Sequence, residues 1–255
     1  MSSERRSPGQ HMNTPQTTNI TFAAKLRAMT RRLGLTLVIG LAFAAGALFF
    51  FARLADEMLE GDAKQFDDWV RGGIQQIASP ALTSAMRVVS IFGAPSVLLP
   101  LSLVVGLGFI ARKRYRAMML LVATMAGAIL LNVVLKLSFH RMRPVPFFDI
   151  KAPNSFSFPS GHALASFCFY STIAVLISAR SNRRTVRIIV WALAALMITL
   201  VGISRIYLGV HYPSDVVAGY AAAFIWVMII IVADRISRKD DHTSGSGVVA
   251  SNEHH

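Results

Sequence analysis

The sequence is poor in cysteine, in acidic residues and in charge altogether. Its one cysteine, Cys168, lies in an apolar run and has no intramolecular partner for a disulfide; a small buried apolar side chain is the ordinary role for such a residue. Charged residues make up 15% of the 255 positions and hydrophobic residues 54%, with a mean hydropathy of +0.51. That balance excludes an ordinary soluble domain. Acidic residues number 13 against 26 basic ones, leaving a net charge of +13. In a soluble protein this excess would suggest nucleic acid. Here the basic residues cluster between apolar runs, where membrane topology accounts for them, so no nucleic-acid partner is expected. The chain also lacks internal repeats and low-complexity tracts, and its length suits one compact domain.

What it has in quantity is apolar sequence. A helix needs about 20 apolar residues to cross a hydrocarbon core. Runs of that kind fall at approximately 33–51, 95–110, 117–135, 163–178, 188–201 and 216–232. The expectation is an all-α integral-membrane bundle of about six transmembrane helices, several of them extending into the sequence on either side. The first run follows Arg31-Arg32 and contains Ala42-Phe43-Ala44, features shared with secretory signals. Its length and the polar stretch before it favour an uncleaved anchor. The expected organisation is a largely disordered tail over 1–32, a transmembrane domain over 33–235 and a second disordered tail over 236–255.

Lysine and arginine in the connections set the orientation. One set of ends holds Arg5, Arg6, Lys25, Arg27, Arg31 and Arg32, then Arg112, Lys113, Arg114 and Arg116. Arg180, Arg183, Arg184 and Arg187 follow on the same side, with Arg235, Arg238 and Lys239, making 17 of the 26 basic residues. Both termini are therefore expected in the cytoplasm of a bacterial-type inner membrane. Between the first two runs, residues 52–93 are too polar for lipid, yet Phe66, Trp69, Val70, Ile74 and Ile77 recur at helical steps. One or two amphipathic helices at the outer interface are expected there, as a cap over the bundle or as a wall guiding lipid.

Three short blocks carry the chemistry. Lys136 precedes Arg143-Pro144 by seven residues. Pro159-Ser160-Gly161-His162 opens the fourth run. Ser204-Arg205 leads to His211 and Asp215. With six crossings all three blocks reach the outer, periplasmic face. If the third helix continues past Leu135, seven residues make nearly two turns and align Lys136 with Arg143, until Pro144 ends the helix. A helix starting at the second block offers free N–H groups and a positive dipole end to an anion. Gly161 permits close approach of the backbone, Ser160 can cap the helix or donate to an oxygen, and His162 can protonate a leaving oxygen. Pro213 suits a first helical turn, and Asp215 can hold one nitrogen of His211 and aim the other. A snorkelling lysine, a common cap and a stray interfacial histidine explain single members of this set, not the whole.

The pattern K-x6-RP, PSGH and S-R-x5-H-x3-D resembles the type 2 phosphatidic acid phosphatase (PAP2) family, relatives of the vanadium haloperoxidases, over residues 67–232. The resemblance implies His211 as a nucleophile that becomes phosphohistidine, Asp215 as its orienting partner and His162 as general acid. It implies Lys136, Arg143, Ser160, Gly161 and Arg205 as the phosphate-binding set. His140, Arg141 and Lys151 occupy variable positions and read as interfacial or headgroup contacts. No carboxylate cluster with metal-ligand spacing accompanies the blocks, so neither metal nor cofactor is expected. The expected function is a metal-independent phosphatase acting on a membrane lipid phosphate or diphosphate, of the undecaprenyl diphosphate, phosphatidate, phosphatidylglycerol phosphate or lipid A class. The competing reading is a lipid-phosphate transporter or binding protein using the same basic pocket without turnover. The loop 145–158 is expected to set substrate choice.

Overall fold

The computed structural model describes the backbone of residues 17–148, 150 and 153–250, and side chains within 38–148, 150 and 153–238. The described residues divide into two units between Leu41 and Ala42. Every described element is helical: α1 (Thr17–Glu60), α2 (Ala63–Gln76), α3 (Pro80–Ile91), α4 (Pro95–Ala111), α5 (Tyr115–Phe139), α6 (Gly161–Ser178), α7 (Arg184–Tyr207) and α8 (Pro213–Ala250).

Five helices are long and apolar enough to cross a membrane, and α3 with α4, bent by 45°, makes a sixth crossing when taken as one span. The bundle is therefore the expected all-α, multi-pass membrane architecture. Its ends differ from the sequence reading in three places. The first span runs Val38–Glu60, beyond the predicted 51, because Ala, Leu, Met and Glu continue the helix until Gly61 at φ +92 stops it. The second crossing is broken: α4 alone has 17 residues, and Pro80 and Pro95 each start a helix at its first turn. Helix α1 begins at Thr17 and α8 continues to Ala250, inside both segments expected to lack structure; residues 1–16 and 251–255 lie outside the described ones.

Helix α6 is central, touching α4, α5, α7 and α8. Its Leu164, Cys168 and Phe169 meet Leu121 and Met125 of α5, Ala223 and Val227 of α8 and Leu98 of α4 in one buried seam. Close backbone approach, not water exclusion, drives such packing in lipid. Gly127 shows it: a Cβ there would lie 2.0 Å from Trp226, whose indole N–H donates to the Thr124 carbonyl at 3.2 Å. The rim of the bundle is the reverse of a soluble surface, with Leu103, Val104, Leu130, Val133 and Leu137 exposed. An apolar belt of this size suits hydrocarbon and not water.

At one end of the bundle the last turns of α5 and α7 meet the first turns of α6 and α8. Helices α2 and α3 lie over that end. The Tyr207 hydroxyl accepts from the Ser79 N–H at 3.2 Å and pairs with Thr83 Oγ1 at 3.0 Å. Ile74 and Leu82 pack on Tyr207, Leu208 and Val210. The apolar stripe of α2 is split, however. Ile74 turns inward, whereas Phe66, Trp69 and Ile77 are exposed, and besides Ala63 the side chain that α2 buries is Asp67, at 0% exposure. The arginine-rich connections lie at the opposite end, where Asp234 pairs with Arg116 at 2.6 Å and Arg238 at 2.9 Å.

Candidate active site

Lys136 stands in the last turn of α5, which stops at Phe139; His140 then adopts a left-handed conformation (φ 48) and its N–H closes onto the Lys136 carbonyl. Arg143 is therefore not on the helix, and the two-turn alignment expected for Lys136 and Arg143 is incorrect. The helix ends four residues earlier than Pro144 requires, and the loop brings the cations together instead. Lys136 Nζ donates to the Phe156 carbonyl. The Arg143 guanidinium donates to the carbonyls of Ser155 (2.7 Å), Val210 (2.8 Å) and Phe156 (3.3 Å) and to Ser155 Oγ (3.0 Å). Both cations thus share one carbonyl.

Helix α6 opens at Gly161 with Ser160 as the preceding extended residue. Ser160 makes no side-chain cap bond; its buried Oγ has no hydrogen-bond partner, and its N–H donates to the Asp215 carbonyl at 2.9 Å. The capping role is thereby removed and the donor role left open. A Cβ on Gly161 would fall 2.7 Å from Asn132 Oδ1, so glycine here first serves close contact between α6 and α5. His162, one residue on, lines a cavity of about 420 Å³ and lies within electrostatic reach of Arg205, His211, Arg143 and Lys136.

Arg205, in the last turn of α7, is buried. Its Nη1 donates to Ser90 Oγ of α3 at 2.5 Å, while its Nε has no partner. His211, 2% exposed, follows the turn after α7. Its Nδ1 is 3.3 Å from Asp215 Oδ2 and its Nε2 is 3.1 Å from Arg143 Nη1. A guanidinium can only donate, so Nε2 must be the accepting nitrogen, and the ring proton sits on Nδ1 facing the carboxylate. Burial pulls the His211 pKa down to about 4 against the opposing pull of Asp215. The imidazole is neutral at physiological pH, with its lone pair on Nε2. Arg143 is also lowered by burial.

Sequence reasoning missed the support beneath Asp215. Asp215 Oδ2 accepts from Ser157 Oγ and from the Tyr212 N–H at 2.9 Å. Arg141, read as an interfacial or headgroup contact, is instead largely buried and bridges two carboxylates, Asp215 Oδ1 and Asp67 Oδ2, at 2.7 Å each. Ser214 completes the square, donating from N and Oγ to Asp67 at 2.9 and 2.6 Å and accepting from Arg141 at 2.8 Å. Tyr212 lies against the guanidinium, 4.1 Å from ring centroid to Arg141 Cζ. The one hint available was an acid on the inward side of α2 between Phe66 and Trp69. His140 is exposed, edge-on to Phe156 at 4.6 Å. Lys151 lies outside the described residues.

The structure thus brings all eight expected residues to one end of the bundle. Ser160 Oγ and Arg205 Nε are buried donors without acceptors, which native structures tolerate where a ligand completes the bonds. Two open donors, three cations and a neutral imidazole whose lone pair faces the Arg143 guanidinium suit a tetrahedral oxyanion attacked in line. Among the described residues no group of three or more His, Cys, Asp or Glu side chains is placed to hold a metal ion.

A profile of the PAP2 superfamily matches residues 117–237. Phosphatidylglycerophosphatase B of Bacillus subtilis (strain 168) is 33% identical over 183 residues, covering 71% of this chain and 89% of that protein. An undecaprenyl-diphosphatase of Sulfolobus acidocaldarius is 32% identical over 162 residues, 62% of this chain and 71% of its own length. Among solved structures, a transmembrane PAP2-type phosphatidylglycerolphosphate phosphatase from Bacillus subtilis superposes with a TM-score of 0.70 at 31% identity, covering 75% of this chain and 96% of that one.

Proposed function

The chain belongs to the PAP2 superfamily and is a phosphatase of that type, and we propose that it hydrolyses a membrane lipid phosphate or diphosphate through a phosphohistidine on His211. The observation that carries this reading is the pair of bonds on the His211 ring, Nδ1 to Asp215 and Nε2 to Arg143. Together they leave a buried, neutral imidazole with its lone pair facing the cations. As the phosphoryl group enters, its oxygens take the Arg143 N–H from Nε2 and free that lone pair.

In the first step His211 Nε2 bonds to phosphorus as the bond from phosphorus to the leaving oxygen breaks, and His162, protonated once the negative phosphoryl oxygens offset the cations around it, gives its proton to that oxygen. Asp215 keeps the ring aimed and stabilises the positive charge it acquires. Lys136, Arg143 and Arg205, with the Ser160 hydroxyl and the N–H groups opening α6 at Gly161, hold the equatorial oxygens. Most of the catalysis of phosphoryl transfer is this positioning and electrostatic stabilisation. In the second step water attacks phosphorus, His162 takes its proton, the P–N bond breaks and inorganic phosphate leaves. Three side-chain cations supply the charge that magnesium supplies elsewhere, so turnover requires no metal.

The site stands at one end of the bundle, where a lipid headgroup can enter while its tails remain in hydrocarbon. The excess of lysine and arginine at the other end supports a cytoplasmic location for that end and a periplasmic or extracellular one for the site. The chain then reads as a transmembrane domain over 33–235 with both termini in the cytoplasm. Substrate candidates are the undecaprenyl diphosphate, phosphatidate, phosphatidylglycerol phosphate and lipid A classes; the chain's relatives are named for phosphatidylglycerophosphate and undecaprenyl diphosphate.

Purified protein incubated with these lipids in excess EDTA should release phosphate, and acid-labile phosphate should be trappable on His211. A carrier or binding protein would retain lipid phosphates without releasing phosphate. Activity abolished by EDTA and restored by magnesium would count against the mechanism. Vanadate, which mimics the trigonal-bipyramidal phosphoryl group, should inhibit.

A further inference from the structure

Arg87 plays no part in the chemistry above, yet it shares a cavity with His162. The cavity, about 420 Å³, has Arg87, Ser90 and His162 as its polar lining, beside apolar residues that include Ile91, Ile150 and Leu208. Ser90 is one helical turn beyond Arg87 on α3, and its hydroxyl accepts from Arg205 at 2.5 Å. Residues three apart on a helix are surface neighbours, so Arg87 sits beside the phosphate clamp without belonging to it. Its side chain is exposed and is tethered through Nη2 to the Phe148 carbonyl at 3.2 Å. One N–H of a five-donor guanidinium is spent on that tether.

The position of this cation relative to the chemistry has a consequence. The nucleophile and the departing oxygen lie on opposite faces of phosphorus in an in-line displacement. His162 protonates the departing oxygen, so a cavity lined by His162 receives the leaving group. Phosphatidate releases a neutral diacylglycerol, which gains nothing from a cation there. A lipid diphosphate releases a lipid monophosphate, and phosphatidylglycerol phosphate releases a lipid that retains a phosphodiester. Each of those leaving groups carries an anionic phosphorus centre on the leaving side.

Resting on the phosphatase reading above, we propose that Arg87 forms a second phosphate subsite on the leaving-group side of His162, selecting lipids that carry two phosphorus centres over simple monoesters. The guanidinium pairs with the phosphate that departs with the lipid, while Lys136, Arg143 and Arg205 hold the one that is removed. The Phe148 carbonyl holds one N–H of the Arg87 guanidinium, and the others remain for that phosphate.

The test compares kcat/KM on a polyprenyl diphosphate and on phosphatidate for wild type, Arg87→Gln and Arg87→Lys. Wild type should favour the diphosphate. A charge-assisted hydrogen bond lost in Arg87→Gln should lower kcat/KM on the diphosphate by about 10–100-fold while leaving phosphatidate within about threefold, and Arg87→Lys should recover part of the loss. Equal losses on both lipids, with a lowered melting temperature, would make Arg87 a strut between α3 and the loop at Phe148 and overturn the subsite. A wild type that prefers phosphatidate would overturn it too. A wild type releasing phosphate from neither lipid would instead sink the phosphatase reading, and the subsite with it.

Discussion

Arg141 Nη1 stands 2.7 Å from Asp215 Oδ1, so the carboxylate that faces the His211 ring on one oxygen is held by a buried guanidinium on the other. The same guanidinium reaches Asp67 of α2 at 2.7 Å, tying the helix that lies over the bundle to the residue that aims the imidazole. Breaking a buried pair by removing one partner costs roughly 3–5 kcal/mol, because the charges left behind are not compensated. Arg141→Gln should therefore lower stability and reduce kcat by about 10²-fold or more, acting through Asp215 and not on substrate. The distinguishing readout is the pH profile. Without Arg141 the Asp215 charge acts on His211 unopposed, so the acid limb of kcat/KM should move to higher pH. Arg141→Lys, which keeps the charge but not the two-pronged geometry, should return the limb most of the way. An unmoved limb would reduce Arg141 to a structural brace.

The acid limb itself is a second prediction. In the proposed mechanism His211 attacks only when neutral, and burial holds its pKa down to about 4, so kcat/KM should fall on acidification with an apparent pKa near that value. Stability should move in the same direction. The unfolded chain protonates this histidine near its ordinary pKa of about 6.5 while the folded chain does not until about 4. The stabilising contribution is thus intact above about 6.5 and is lost as pH falls toward 4, on the order of 3 kcal/mol in all. Melting temperatures between pH 7 and 4 for wild type and His211→Gln would separate this share, because the glutamine variant should show a shallower decline.

The motif residues were legible in the sequence because their chemistry is fixed by residue type, whatever path the chain takes to bring them together. Lys136 and Arg143 illustrate the limit: that they share one site was readable, their geometry was not. Helix α5 ends where His140 turns left-handed, and nothing in Ser138-Phe139-His140 announces that. Asp67 and Arg141 were opaque for a different reason. Their meaning lies in contacts 74 residues apart, and local pattern carries no information about a partner at that range. Helix α2 was recognised as amphipathic, but its apolar stripe faces outward at Phe66 and Trp69 while an aspartate faces in. In a soluble protein apolar periodicity points to the core; beside a membrane it can equally point to lipid.

Topology can be tested against the natural sequence, because Cys168 is buried and should give little background with an impermeant maleimide. A cysteine at Asn154, exposed in the loop beside Arg143, should label in intact spheroplasts. One at Asn182, exposed between α6 and α7 at the opposite end, should label only after the membrane is opened. The reverse pattern would place the chemistry in the cytoplasm and remove periplasmic lipid phosphates from the list of substrates.

The two histidines should fail differently. His211→Ala removes the proposed nucleophile, so turnover should vanish for every substrate, whatever its leaving group, and no acid-labile phosphate should be trapped. His162→Ala removes the proposed proton donor, a contribution of roughly 10²–10⁴-fold that matters most when the departing oxygen is a poor leaving group. That variant should be crippled on an alkyl phosphate lipid and partly rescued on an aryl phosphate such as p-nitrophenyl phosphate. Asp215→Asn should resemble His211→Ala in milder form. The amide leaves the ring free to place its proton on Nε2, where the lone pair is needed, and it breaks the pairing with Arg141. If His211→Ala were instead rescued by the better leaving group, while His162→Ala stayed inactive on both substrates, the roles of the two histidines would have to be exchanged. The Nδ1–Asp215 contact would then be orienting a general acid rather than a nucleophile.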